Sequence, residues 1–245
     1  MAGPPTVLLP LTLPALLTYV LSTQADTAAT RLIVCSSQAS FLHDFHRALQ
    51  HQHGQTGDEL QQAIAPTLHN LFTAGHVTVA FCASVQALLA YLTAYGGATA
   101  KRGVTNEKDA QERIVLVNPL SLHALTPSFS AQGLSRTFAA AVETALRTNA
   151  VLEMAECIGA SLNDGLDGGN DTDAIMGDTE GSQRADSHDD PWEQDVAILN
   201  VSARRFGSGS NDRAWVGRTV KAKRIAARWF HFHKLNASLG LDITG

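Results

Sequence analysis

Short apolar runs alternate with amphipathic stretches along this chain. Val7–Leu9 is apolar, and Arg31–Cys35 (RLIVC) is a compact β-branched run. Phe41 to Leu49 then carries apolar residues at 41, 42, 45 and 49, a helical period, with Ser40 as its candidate cap. His76–Cys82 (HVTVAFC) reads as a strand, and Ser84 opens a helix over 85–95. Ile114–Val117 (IVLV) is a fully apolar strand, Ser130–Thr148 a long helix and Val151–Cys157 a strand. Val196–Val201 (VAILNV) is a further strand, and Thr219–Lys223 alternates as a strand with one solvated face. Apolar runs separated by helices predict an α/β fold: a mostly parallel sheet with helices on both faces. The last strands have no helix between them, which predicts an antiparallel C-terminal edge.

The 245 residues suffice for one domain, taken as 1–245. Residues 6–22 are apolar, but no Lys or Arg precedes Arg31, and Pro10 and Pro14 interrupt the run. A strand over 6–9, a turn and a buried helix over about 13–22 are expected there, rather than a signal peptide or a membrane span. Loops are expected at 51–60, at 96–112 and, largest of all, at 159–191. That last loop holds nine Asp or Glu against Arg184 alone and few apolar residues, so disorder is expected.

Charge reverses after the acidic loop. Net charge is −5, yet half of the 18 Lys and Arg lie in the last 45 residues. This basic part, 201–235, holds Arg204, Arg205, Arg213, Arg218, Lys221, Lys223 and Arg224 as candidate nucleic-acid contacts. Clustered cations meet phosphates, and aromatics among them (Trp215, Trp229, Phe230 and Phe232) could stack on bases. The competing expectation is an ordinary strand with a solvated face and Trp215 and Val216 packed inward.

Other chemistry finds little support. Cys35, Cys82 and Cys157 are an odd set, far apart, each in an apolar run. Free buried thiols are expected, without a disulfide framework or zinc spacing. No G-x-x-x-x-G-K-[ST] occurs; Pro10-Leu11-Thr12-Leu13-Pro14 follows the first strand. No dinucleotide turn, H-E-x-x-H or G-x-S-x-G appears either. The strand IVLV ends in Asn118-Pro119, where metal-dependent phosphoryl transfer would want an acid. Glu153 and Glu156 are expected at the surface end of the next strand, and His43, His46, His51, His53, His231 and His233 as solvated or packing residues. Asp164 to Asp173 faintly resembles a calcium loop but lacks the closing Glu, so a flexible linker is expected. No cofactor, metal or catalytic residue is assigned.

The order of elements resembles the RecA/recombinase superfamily core. Ile114–Pro119 sits where that family has its metal-binding strand, and Phe129 to Thr137 resembles the loop-to-helix passage after it. Leu152–Cys157 is similar to the following core strand, and Trp192–Asn200 to the Trp-led strand after the family's second DNA loop. The acidic insert would occupy that second DNA loop. Without the phosphate-loop residues, and with Asn118 in place of the acid, what remains resembles degenerate recombinase paralogues such as Shu-complex subunits. The resemblance implies a non-catalytic, nuclear subunit assisting homologous recombination. Its partner would be a recombinase-paralogue subunit, with single-stranded or branched DNA as a second ligand and Arg204, Arg205 and Arg213 as contacts. The alternative is a subunit of the Elongator ATPase-like ring, acting in tRNA wobble-uridine modification in the cytoplasm.

Overall fold

The β-branched and aliphatic runs become the strands of one sheet, and the periodic stretches between them become its helices. The structure, a computed structural model, describes residues 3–25, 28–53, 67–96, 111–124, 126–159, 190–199 and 218–235. In chain order the elements are β1 (Thr6–Thr12), α1 (Leu13–Ser22), β2 (Thr30–Val34), α2 (Gln38–His53), α3 (Leu68–Ala74), β3 (Val77–Phe81), α4 (Val85–Ala94) and β4 (Arg113–Val117). There follow α5 (Pro119–Ala124), α6 (Ala131–Thr148), β5 (Val151–Ile158), a 3₁₀ turn (Pro191–Glu193), β6 (Asp195–Ala197), β7 (Thr219–Lys221), α7 (Ala222–Ala226) and β8 (His231–Lys234).

The main sheet has six strands in the order β3-β2-β4-β5-β1-β8, and every ladder in it is parallel. The α/β class with a mostly parallel sheet is therefore as the pattern predicts. The antiparallel pairing of the C-terminal part is present as a separate two-stranded ribbon, β6 with β7. The sheet's own C-terminal edge departs from the expectation, because β8 runs parallel to β1. Helix α7 and the turn after it separate β8 from β7, so the two are not joined as a hairpin, and β8 pairs with β1 instead.

Strand residues sort alternately onto two faces, as the period of two requires. Leu8, Leu32, Val34, Val115, Val117, Ala155 and Cys157 pack on one face with Leu13, Leu16 and Val20 of α1. Val7, Ile33, Ile114, Leu116, Leu152 and Met154 pack on the other with α4, α6, α7 and Trp192. Local signals set the helix ends. Ser84 and Ser130 hydroxyls accept the Ala87 and Gly133 N–H groups, capping α4 and α6. Helix α2 starts earlier than the pattern predicts: Ser37, rather than Ser40, supplies the capping hydroxyl. Helices α3 and α5 were not legible as periodic segments, being only 7 and 6 residues long.

A part-buried polar cluster ties α1 to the strands. Arg113 Nε donates to Glu153 Oε2 at 2.8 Å, its guanidinium lies over the Tyr19 ring, and Tyr19 donates to the same carboxylate. Glu153 thus joins α1, β4 and β5 instead of lying at a free surface. On the opposite face, Phe138 of α6 is fully buried and meets Phe230 edge-on at 5.6 Å. Phe138→Ala is expected to lower unfolding free energy by about 3–5 kcal/mol, because the cavity cannot collapse against a rigid sheet. Urea denaturation followed by circular dichroism checks this; a loss under about 1 kcal/mol would mean the site repacks.

Candidate functional site

In an open α/β sheet, ligands bind beyond the carboxyl ends of the strands, where neighbouring connections leave toward opposite faces. Here α1, after β1, packs on one face, while the 3₁₀ turn after β5 packs on the other. The β1–β5 crevice is thus the position to inspect. Among the described residues no loop separates β1 from α1 there: β1 extends to Thr12, past a register shift between Leu8 and Leu11, and α1 begins at Leu13. The expected turn after residue 9 is therefore strand. Thr12 caps α1 by accepting the Ala15 N–H at 3.4 Å, and Pro14 removes another N–H from the first turn. A phosphate cradle needs several consecutive free backbone N–H groups on a loop, and this junction offers no such loop.

The neighbouring rim, at the ends of β4 and β5, is closed by side chains. Asn118 adopts a left-handed conformation, φ 58°, which Asn tolerates better than most residues. Its N–H continues the ladder to the Ala155 carbonyl at 2.8 Å, and its Oδ1 accepts the Cys157 N–H at 2.7 Å. The side chain thus supplies one more rung after the backbone has turned away. The Asn118 acceptor is thus spent on the sheet.

Glu156 is the main departure from the expectation of a surface residue: it is 3% exposed. Strand β5 aims it at the face covered by α5. Its carboxylate accepts the Leu120 N–H at 2.9 Å, the Ser121 N–H at 2.8 Å and the Ser121 hydroxyl. Pro119, at the first helical position, has no N–H to satisfy, so Glu156 takes the donors that follow it. Beside it, the Cys35 thiol is pushed well up by burial and by the Glu156 charge. All three cysteines are free and buried, as the sequence indicates.

His123, not singled out by any motif, is also fully buried. Its Nδ1 lies 3.2 Å from the Ser128 carbonyl, which can only accept, so Nδ1 is the donor. Nε2 then accepts from the Thr137 hydroxyl at 2.9 Å, and burial, which lowers its pKa, favours this neutral ring. Gly133 permits the arrangement: a Cβ there would stand 2.1 Å from the Ser128 carbonyl oxygen. Only tertiary geometry joins His123, Ser128 and Thr137, so spacing could not reveal them.

The basic candidates divide. Arg204, Arg205 and Arg213 lie outside the described residues, as does most of the acidic loop. Arg218 and Arg224 are exposed. Lys221 pairs with Asp195 at 3.0 Å across the ribbon, and Lys223 with Glu193 at 3.3 Å. The aromatics expected as stacking surfaces turn inward instead: Phe230 meets Phe138, and Phe232 meets Trp192 at 5.4 Å. Trp229 also packs against the core, and Trp215 lies outside the described residues. Among the described residues no three His, Cys, Asp or Glu side chains converge as metal ligands, and no helix is long and apolar enough to cross a membrane.

No protein-family model and no curated protein sequence matches this chain.

Burial raises the Glu156 carboxyl from the ordinary 4.5 to about 7, against three donors that favour its charge. The folded state therefore holds this proton more tightly than the unfolded chain. The resulting stabilisation is full below the unfolded value and is lost as pH rises through about 7, roughly 3 kcal/mol in all. Glu156→Gln removes the titration. The melting-temperature advantage of the native protein over Glu156→Gln is expected to shrink between about pH 5 and about pH 8.5. An advantage that stays constant with pH would place the proton elsewhere.

Proposed function

We propose that this chain is a non-catalytic, recombinase-paralogue-like subunit that assists homologous recombination through a protein partner. The observation that carries the reading is the β1–α1 junction, where strand passes directly into a Thr12-capped helix at the position a nucleotide-hydrolysing relative needs for its phosphate loop. The use of Asn118 as a ladder rung supports it from the neighbouring strand. Both devices stabilise the sheet by closing the rim where such a relative would hold nucleotide and metal.

A partner is supported by the opposite side of the molecule. The edge strand β3 pairs only with β2 among the described residues. Val79 and Phe81 on it, Leu42 on α2, and Leu68, Leu71 and Phe72 on α3 are all exposed. A flat, uncharged edge beside apolar side chains favours pairing with another chain. DNA contact through the basic part is the second element of the proposal, and it falls on Arg204, Arg205 and Arg213, since Lys221 and Lys223 are already partnered.

Affinity purification of the tagged chain from its native cells, with mass spectrometry, is the deciding experiment. Recombinase paralogues are the expected partners; Elongator subunits would replace this reading with the tRNA-modification ring. Val79→Lys is expected to abolish capture while leaving the melting temperature within about 2 °C, because the side chain is solvated. Changing Arg204, Arg205 and Arg213 together to Ala is expected to weaken binding of single-stranded DNA and to lower the slope of affinity against salt by about 2. An unchanged slope would remove DNA contact from the proposal.

A further inference from the structure

A cavity of about 370 Å³ opens between the start of α4 and the start of α6, beyond the carboxyl ends of β3 and β4. It is distinct from the β1–α1 junction, because the loops that line it follow other strands. Its size falls in the range of small-ligand sites, and it lies between two helices that pack on the same face of the sheet. The α4 side supplies Val85, Gln86 and Leu89 and the α6 side Gln132, Gly133 and Arg136, with buried His123 also in the lining.

The lining fixes the charge of what fits. Among the described residues lining the cavity Arg136 is the only charged one, and none of them is a carboxylate. Among the described residues, Arg136, Gln132 and Gln86 have no hydrogen-bond or ion-pair partner. Gln132 and Arg136 stand one helical turn apart on α6, so both can reach one group. The ten residues of α4 and the 18 of α6 also direct their positive ends toward the opening, adding to the field of Arg136. His123 contributes shape rather than charge, since both ring nitrogens are engaged by Ser128 and Thr137.

We infer that this cavity binds a small oxyanion, a phosphate monoester or a carboxylate, that carries an apolar group. The oxyanion sits on the Arg136 guanidinium, whose fork matches two oxygens, with Gln132 and Gln86 donating beside it. The apolar group lies against Val85 and Leu89. This inference is independent of the partner-subunit reading and stands or falls separately.

The test is a titration of the ¹⁵N-labelled full chain with phenyl phosphate, benzoate and benzylamine, followed by amide chemical shifts. Phenyl phosphate or benzoate is expected to move the Gln86, Gln132 and Gly133 amides, and the tighter of the two names the anion. Benzylamine, of similar shape and opposite charge, is expected to leave them in place. Arg136→Ala is expected to weaken the anion by about tenfold or more, and Arg136→Lys by less. Because Arg136 is exposed, both variants should keep the native melting temperature. Equal affinity in Arg136→Ala, equal response to benzylamine, or shifts absent from these amides would each overturn the inference.

Discussion

A parallel strand covered on both faces has nowhere to put a polar side chain, and its backbone groups can be satisfied only by its neighbours. β4 meets this constraint in full. Ile114 to Val117 are all buried, and the ladders to β2 and β5 take its N–H and C=O groups. The helices on each face are held by the same alternation, since Ile114 and Leu116 serve one core and Val115 and Val117 the other. Where the strand ends, its polar groups must still be paired before the chain can turn. Asn118 does this with its own side chain, and Glu156 does it for the first turn of α5.

That solution consumes the chemistry of the rim. A carboxylate free to hold a metal or move a substrate proton must have an unoccupied lone pair facing a cavity. Glu156 has both oxygens on donors from α5, beneath a helix. Thr12, likewise, spends its hydroxyl on a helix cap, and Asn118 Oδ1 lies on the Cys157 N–H. Each group is polar and suitably placed in sequence, yet each is turned toward the protein. Among the described residues, an opening with unpartnered polar groups lies instead at the β3 and β4 loops, where Arg136, Gln132 and Gln86 face solvent-accessible space.

The alternation of apolar runs and helical periods was enough to read the α/β class, because burial on both faces of a parallel sheet demands it. Ser84 was legible as a cap for the same local reason, whereas Ser130, read as the first residue of its helix, is the cap of α6. The direction of β8 was not, because its partner is β1, at the other end of the chain. Glu156 was misread because an acid within an apolar strand is ordinarily at its exposed end. Its partners are backbone N–H groups 35 and 36 residues away, which no spacing rule detects. The stacking role of Phe230 and Phe232 failed because interleaved charge says nothing of which face a side chain takes. In β8 and the turn before it, the aromatic positions face inward and the basic ones outward.

The two sides of the sheet differ in how they treat a neighbouring chain. β8 carries exposed His231, His233 and Lys234, and charge on a strand discourages pairing by another. β3 carries Val77, Thr78, Val79, Ala80 and Phe81, with no charge, proline or glycine to interrupt an added strand. The proposed protein contact is therefore assigned to the β3 side. The basic count of the C-terminal part overstates its field there, because Lys221 and Lys223 each face an acid. Such exposed pairs contribute little to stability, but they halve the charge that a polyanion would meet on the ribbon. A polyanion at this side would have to displace Asp195 and Glu193 or be held by the arginines of 204–213. For that reason the DNA reading rests on those arginines rather than on the ribbon.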